Sequence, residues 1–310
     1  MISTVTLNPM LDKTVHVETL QRGKVHRSSQ VDVVVGGKGV NVSRQLQHLH
    51  CATHATGFLG GPVGGMVEGM LDQEGLPHRF VRVKGMTREG VTYLEPDGTW
   101  TAVFEPPHKV TASECSELIE LCRSLERKST WFVCSGSSPD PVADGVFAAI
   151  VSNARTSGIK TVLDSYGRAF SVALDAIPTV VKVNREEFEQ SFGKALSTER
   201  EVCEALEGLL ARGISYAVLT DGARPLYAAH GKELWKATPP EMHPVNTTGS
   251  GDSMTAGLLY GLLQRWEFDR VLRFGTAAGA SNARMWQVAA SSMDEIIQME
   301  REVNVSRIRG

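Results

Sequence analysis

The chain has 310 residues, 42% of them hydrophobic, with 32 Lys and Arg against 35 Asp and Glu. That length and apolar share suffice for one large α/β domain or two smaller ones around a sizeable core. A formal charge of -3 offers no broad basic face for nucleic-acid phosphates, and no apolar run approaches the ~20 residues of a membrane span.

The opening MISTVTLNPM lacks the basic and apolar regions of a secretory leader. The 5 cysteines are scattered, with no C-x-x-C pair. Both features predict a cytoplasmic chain with reduced thiols rather than a disulfide or zinc framework. The 9 histidines form no H-E-x-x-H or other ligand spacing.

In chain order, Ile2–Leu7 reads as a strand, and Thr14 to Val35 carries strand-like runs with no helix between them. Val42, Leu46 and Leu49 then fall at helical spacing. Arg88 to Glu105 reads as a hairpin turning at Pro96-Asp97-Gly98. Leu118, Leu121, Cys122 and Leu125 have the period of a helix face, as do Val142, Val146 and Ile150. Strands follow at Thr130–Cys134, Lys160–Leu163, Thr179–Val183 and Ser215–Thr220, and a last helical pattern runs through Met254, Leu258 and Leu262. Strands feeding helices in this order predict a parallel sheet built from right-handed βαβ units. The two helix-free segments predict one small antiparallel sheet, a lid at about 12–35 and 87–106 on a single domain spanning 1–310. An apolar face on such a sheet needs a ligand cleft or a second subunit to cover it.

Small and charged residues collect at several strand-to-helix junctions. In VNTTGSGDS, Asp252 stands at a helix start with Gly249, Ser250 and Gly251 just before it. Free N–H groups there, with the helix dipole, make an anion site. An Asp N-cap alone would not need two glycines, which let a backbone come close to a ligand. Gly36-Gly37-Lys38-Gly39-Val40-Asn41 is a second glycine turn, this one with a cation. It is not a Walker A loop, and it lacks the third glycine of a dinucleotide fingerprint. Asn8-Pro9-Met10-Leu11-Asp12, Thr87-Arg88, Ser135-Gly136-Ser137 and Asn184-Arg185-Glu186-Glu187 each begin where a strand is expected to end. Open α/β sheets bind ligands at that edge. Jointly these junctions supply an acid, cations, hydroxyls and an N-x-x-E carboxylate. No G-x-S-x-G elbow occurs, which argues against a serine hydrolase.

Taken in order, NPMLD (8–12), GGKGVN (36–41), SGS (135–137), KVNREE (182–187) and NTTGSGDS (246–253) resemble the motifs of the PfkB (ribokinase-like) carbohydrate kinase family. The likeness covers nearly the whole chain. Its TLNPMLDKTV start and GGKGVNVSR turn resemble the hexose-phosphate branch, which includes 1-phosphofructokinase and tagatose-6-phosphate kinase.

The resemblance implies a three-layer α/β/α sandwich with a mainly parallel sheet and a β-sheet lid shared across a homodimer. It implies magnesium-dependent transfer of phosphate from ATP to a sugar phosphate, fructose 1-phosphate becoming fructose 1,6-bisphosphate. Asp252 matches the family's general base, and Gly249, Ser250 and Gly251 its anion hole. Asp12, Gly37 and Asn41 match positions that bind sugar hydroxyls, and Lys38, Arg88 and Ser137 positions near the resident phosphate. Asn184 and Glu187 match the N-x-x-E motif that governs magnesium and phosphate, the Glu187 contact with the metal passing through water. Thr220 and Gly222 fall in the nucleotide loop, and Asn282 near the adenine.

Three departures bear on specificity. Pro225 takes the place of the nucleotide loop's second glycine, Phe104-Glu105-Pro106-Pro107 replaces Asn-Glu-Pro-Gly at the end of the lid hairpin, and Glu89-Gly90 follow Arg88. Alternative expectations are a tagatose-6-phosphate kinase or 6-phosphofructokinase, a nucleotide-dependent dehydrogenase, and a silent sugar-phosphate sensor. The missing third glycine counts against the dehydrogenase, and an intact Asp252 counts against the sensor.

Overall fold

The computed structural model describes residues 1–309. The chain opens with β1 (Ile2–Thr6), β2 (Met10–His16), β3 (Gln30–Gly36), α1 (Lys38–His48), β4 (Thr53–Gly60), α2 (Gly61–Gln73) and β5 (Val81–Val83). Next come β6 (Arg88–Leu94), β7 (Trp100–Phe104), α3 (Ala112–Glu126), β8 (Trp131–Ser135), α4 (Val146–Thr156), β9 (Lys160–Asp164) and α5 (Gly167–Leu174). The rest is β10 (Val180–Asn184), α6 (Arg185–Phe192), α7 (Glu199–Ala211), β11 (Tyr216–Asp221), β12 (Arg224–His230), β13 (Glu233–Thr238), α8 (Ser250–Leu263), α9 (Phe268–Ala283), α10 (Met293–Glu300) and β14 (Asn304–Arg309).

The main sheet is 10-stranded, in the order β14-β13-β12-β11-β10-β9-β8-β1-β4-β5. Every pair from β5 to β11 is parallel, and β12 to β14 extend one edge antiparallel. The parallel strands are buried on both sides. β8 turns Phe132 and Cys134 into the core shared with α3 to α7, and Trp131 and Val133 into the core shared with α1 and α8. Burial on both faces is what a sheet between two helical layers requires. Among the described residues, no helix is long and apolar enough to cross a membrane.

The lid is a four-stranded sheet in the order β3-β2-β6-β7. Its outer pairs are antiparallel as expected, but the central pair, β2 with β6, is parallel. The reason is that β2 and β6 belong to separate excursions that leave the same edge of the main sheet in the same direction. The hairpin turn is closed by Gly98 N–H donating to Glu95 O and Glu95 N–H to Thr99 O. The expected helical register of Val142 also fails. Val142 lies in a 3-10 turn, Pro141–Ala143, and is 51% exposed. The Asp140 carboxylate accepts the Val142 N–H there and starts that short turn before the true helix at Val146.

Candidate active site

β1 pairs with both β4 and β8, and the chain moves outward from it in opposite directions. A crevice therefore opens beyond the carboxyl ends of β1 and β8. Asn8 follows β1 and Ser137 follows β8, and Asn8 Nδ2 donates to Ser137 Oγ at 3.1 Å across it. A cavity of about 240 Å³ fills this place between the sheet edge, the lid and the start of α8. It brings together Asp12, Gly37, Lys38, Asn41, Arg88, Ser137, Gly249 and Asp252.

The expected helix start shifts by two residues. α8 begins at Ser250, Gly249 is its N-cap at φ 78, and Asp252 lies in the first turn. Asp252 is therefore no cap. Its side chain is 5% exposed, and its Oδ2 accepts from Asn41 Nδ2 at 2.8 Å. The left-handed backbone at Gly249 is one that other residues avoid, and a Cβ there would meet Val288 Cγ1 at 2.5 Å. Gly37 is similarly constrained, with φ 131 and Thr6 Cγ2 2.8 Å from where a Cβ would sit. Ser250 N–H bonds to Thr247 O at 3.2 Å, whereas Gly251 and Asp252 N–H make no backbone hydrogen bond among the described residues. Gly249 N–H is likewise without a partner, so the open donors here are Gly249, Gly251 and Asp252, with Ser250 N–H alone taken up.

Burial pushes the Asp252 carboxyl up to about 6, and the nearby Asp164 charge adds to the rise; Lys38, the Asn41 hydrogen bond and Lys182 oppose it. Asp164 itself is fully buried at the end of β9. It accepts from Lys182 Nζ at 2.8 Å, Thr255 Oγ1 at 2.8 Å and Lys38 Nζ at 3.1 Å. Its burial favours the neutral form, but the two ammonium groups and the hydrogen bonds outweigh this and hold it ionised well below the usual carboxylate range. Lys38 Nζ also lies 2.5 Å from Glu187 Oε1. Burial disfavours its charge, but Asp164, Glu187 and Asp252 more than compensate, so Lys38 stays an ammonium.

Lys38 therefore lines the cavity but is already held by two carboxylates. Arg88 is different. It opens β6 rather than following a strand, and its buried Nε has no hydrogen-bond partner. Burial lowers its basicity, countered by Tyr166 and Asp12. Asp12 is pushed up by burial and drawn back by Arg88, and its Oδ1 is buried without a partner. Both therefore have unmet polar capacity at the cavity.

The expected nucleotide residues lie apart from this cavity. Asn184 caps α6 in a reciprocal box with Glu187: Glu187 N–H donates to Asn184 Oδ1 at 2.7 Å, and Asn184 N–H to Glu187 Oε2 at 3.2 Å. Thr220 pairs in register with Asn184, so the two strand ends are neighbours. Gly222 opens a two-residue hairpin between Asp221 and Arg224 at φ 59, with Pro225 already inside β12. Asn282 is fully buried, and its amide is spent within the protein. It donates to Thr248 O at 2.8 Å and Ser250 Oγ at 3.0 Å, and accepts from Ala289 N–H at 2.6 Å and Ser253 Oγ at 3.3 Å. It fixes the loop before α8 and has no polar group left for an adenine.

Asp164 was legible as a strand end and Lys182 as the first residue of KVNREE, but neither was assigned a role, and Thr255 lay outside the motifs. One signal was available: Lys182 is the single charge in the apolar run VVKVN, and a charge in a strand buried on both faces needs a partner.

No group of three or more His, Cys, Asp or Glu side chains able to hold a metal occurs among the described residues. The described residues thus offer no protein cage for a cation. Glu187, whose oxygens already accept from Lys38 and Asn184 N–H, is a single carboxylate that would suit magnesium carried mainly by phosphates and water.

A model described as the pfkB family carbohydrate kinase matches residues 5–293. The 1-phosphofructokinase of Vibrio cholerae is 31% identical over 99% of this chain and 97% of its own length. The tagatose-6-phosphate kinase of Staphylococcus epidermidis is 29% identical over 99% and 100%. The solved structure of a possible 1-phosphofructokinase from Thermotoga maritima superposes with a TM-score of 0.90 and 26% identity, covering 99% of each chain.

Proposed function

The chain belongs to the pfkB family of carbohydrate kinases, and from that premise we propose that it transfers the γ-phosphoryl group of ATP to a hexose phosphate, converting fructose 1-phosphate to fructose 1,6-bisphosphate. The observation that carries this reading is Asp252, a buried carboxylate in the first turn of α8 on the wall of a cavity that also holds the unpaired Arg88. Family membership sets aside the dehydrogenase expectation.

The sugar hydroxyl must lose a proton as it attacks phosphorus. Asp252, ionised above about pH 6, accepts it, a contribution typically worth ~10²–10⁴-fold. The open N–H groups of Gly249, Gly251 and Asp252 and the α8 dipole face the oxygens that gather charge. Arg88 holds the phosphate already on the sugar, because it is the cavity cation with unmet hydrogen-bonding capacity. Asp12, Asn41 and the close backbone at Gly37 address the hydroxyls, and Ser137 lies beside the resident phosphate. The nucleotide takes the neighbouring edge at Asn184, Thr220 and Gly222. Bound magnesium, reached by Glu187 through water, would supply charge neutralisation between the phosphates.

The domain is one unit with an appended lid, and the subunits pair through that lid, whose β7 leaves Trp100 67% and Val103 62% exposed. The 5 cysteines are all free, which suits a reducing cytoplasm.

Tagatose 6-phosphate is the second reading, favoured by the 29% identity to a tagatose-6-phosphate kinase over the full chain. A coupled assay with ATP and magnesium against fructose 1-phosphate, tagatose 6-phosphate and fructose 6-phosphate tests the assignment. Turnover of an unphosphorylated sugar in preference to all three would overturn it.

A further inference from the structure

Asn41 presents the two ends of its amide to groups of opposite demand. Nδ2 donates to Asp252 Oδ2 at 2.8 Å, and Oδ1 accepts from Arg44 Nη1 at 2.9 Å. Arg44 lies one turn further along α1 and is 9% exposed. Its other donors are fixed outside the cavity. Nε reaches Glu74 Oε2 at 2.8 Å, and Nη2 reaches Glu74 Oε1 at 3.1 Å and Val35 O at 3.1 Å. The guanidinium is thus clamped by a bidentate carboxylate and a backbone carbonyl before it meets Asn41.

An amide can turn either end toward a neighbour, whereas a guanidinium can only donate. Arg44 therefore admits only Oδ1, which leaves only Nδ2 for Asp252. In the flipped amide, Asn41 Oδ1 would face the carboxylate, acceptor against acceptor, an arrangement that only a protonated Asp252 could satisfy. The charges facing Asp252 itself are Asp164, Lys38 and Lys182. Arg44 is not among them, so its influence passes through Asn41.

We propose that Arg44 is a positioning residue for phosphoryl transfer: by donating to Asn41 Oδ1 it sets the amide so that Asp252 is a hydrogen-bonded carboxylate with Oδ1 free for the sugar hydroxyl. This rests on Asp252 being the base.

The test uses ¹³C-carboxyl-labelled aspartate in the full chain without sugar, with the Asp252 signal identified by its loss in Asp252→Asn. Losing a hydrogen bond to a carboxylate is worth on the order of one pH unit. Arg44→Met should raise the Asp252 midpoint by about that much, and Arg44→Lys should return it toward wild type. Asn41→Ala should raise it too, and adding Arg44→Met to Asn41→Ala should move it no further. In turnover, Arg44→Met should lose about fivefold in kcat at pH 6 and almost nothing at pH 8, with the KM for ATP unchanged. If Arg44→Met does not fold, Arg44→Leu, which likewise has no donor, carries the same expectation. An unmoved midpoint in the folded variant, or shifts that add in the double variant, overturns the proposal. Because the titration is read without substrate, it stands or falls separately from the assay of fructose 1-phosphate.

Discussion

Lys38 Nζ lies 2.5 Å from Glu187 Oε1, joining the first turn of α1 to the start of α6 across the ends of β9 and β10. With Asp164 also within reach, one ammonium holds two carboxylates at once. Lys38→Met leaves Glu187 without a cation and Asp164 with Lys182 alone. A loss of about 1–3 kcal/mol of stability is expected in denaturant unfolding. Lys38 also lowers the Asp252 pKa, so the acid limb of kcat/KM should move to higher pH. An unmoved limb would mean that Lys38 acts only as structure.

Asp252→Asn separates chemistry from folding. kcat should fall by ~10²-fold or more while sugar phosphate still binds; near-wild-type turnover would remove Asp252 from the base role. Stability should change the other way. Burial raises the Asp252 pKa from 3.8 to about 6 in the folded state. The folded protein therefore binds this proton more tightly than the unfolded chain does, and that stabilisation is lost as pH rises from about 4 through 6. At pH 8 the carboxylate costs on the order of 3 kcal/mol. A neutral Asn escapes most of it, so the variant should melt higher than wild type at pH 8 and lose that advantage toward pH 4.

The parallel sheet and the junction motifs were legible because both rest on local rules: apolar runs bounded by turns, and glycines where a backbone must bend or approach. The partners of those motifs were not. That Asn41 meets Asp252 across 211 positions, or that Asn282 ties Thr248 to Ala289, depends on how α1, α8 and α9 pack. The lid's parallel pair was hidden for the same reason, since direction in a sheet depends on where each strand leaves the body. Lys38 shows the limit best. Its place at the site was implied by the family resemblance of the glycine turn, but its commitment to Asp164 and Glu187 was not.

Arg88→Ala should raise the KM for the sugar phosphate about 10- to 100-fold, the worth of a charged hydrogen bond, with a smaller change in kcat. Arg88→Lys should recover only part of this, because an ammonium cannot reproduce the planar fork on a phosphate. The Asp12 carboxyl, which Arg88 draws down against burial, should titrate higher in the alanine variant. An unchanged KM would reduce Arg88 to a lid surface charge.

Gly249→Ala tests the turn before α8. Alanine at φ 78 costs about 1–2 kcal/mol of backbone strain, and its Cβ would press on Val288 Cγ1. Relief requires the turn to shift, which moves the Gly251 and Asp252 N–H groups from their aim. kcat should fall by more than the loss of stability alone explains, with the sugar-phosphate KM little altered. A variant that is destabilised yet turns over normally would show that these N–H groups do not meet the transferred phosphoryl group.

The lid gives the last prediction. β3 and β7 are both edge strands, and β7 is apolar and open, with Trp100 and Val103 more than half exposed. An open apolar edge of this kind invites pairing with another chain. Phe104 is the wrong residue to change, because its ring covers Gly90 and removing it would disturb the lid itself. Trp100→Glu with Val103→Glu places charges on the open strand while leaving that packing intact. Sedimentation at micromolar concentration should show a dimer for the wild type and a monomer for the double variant, with the melting of the main domain little changed. If the subunits close each other's cavities, the monomer should also show a raised sugar-phosphate KM. A monomeric wild type with full activity would mean that the exposed lid edge serves something other than a second copy of the chain.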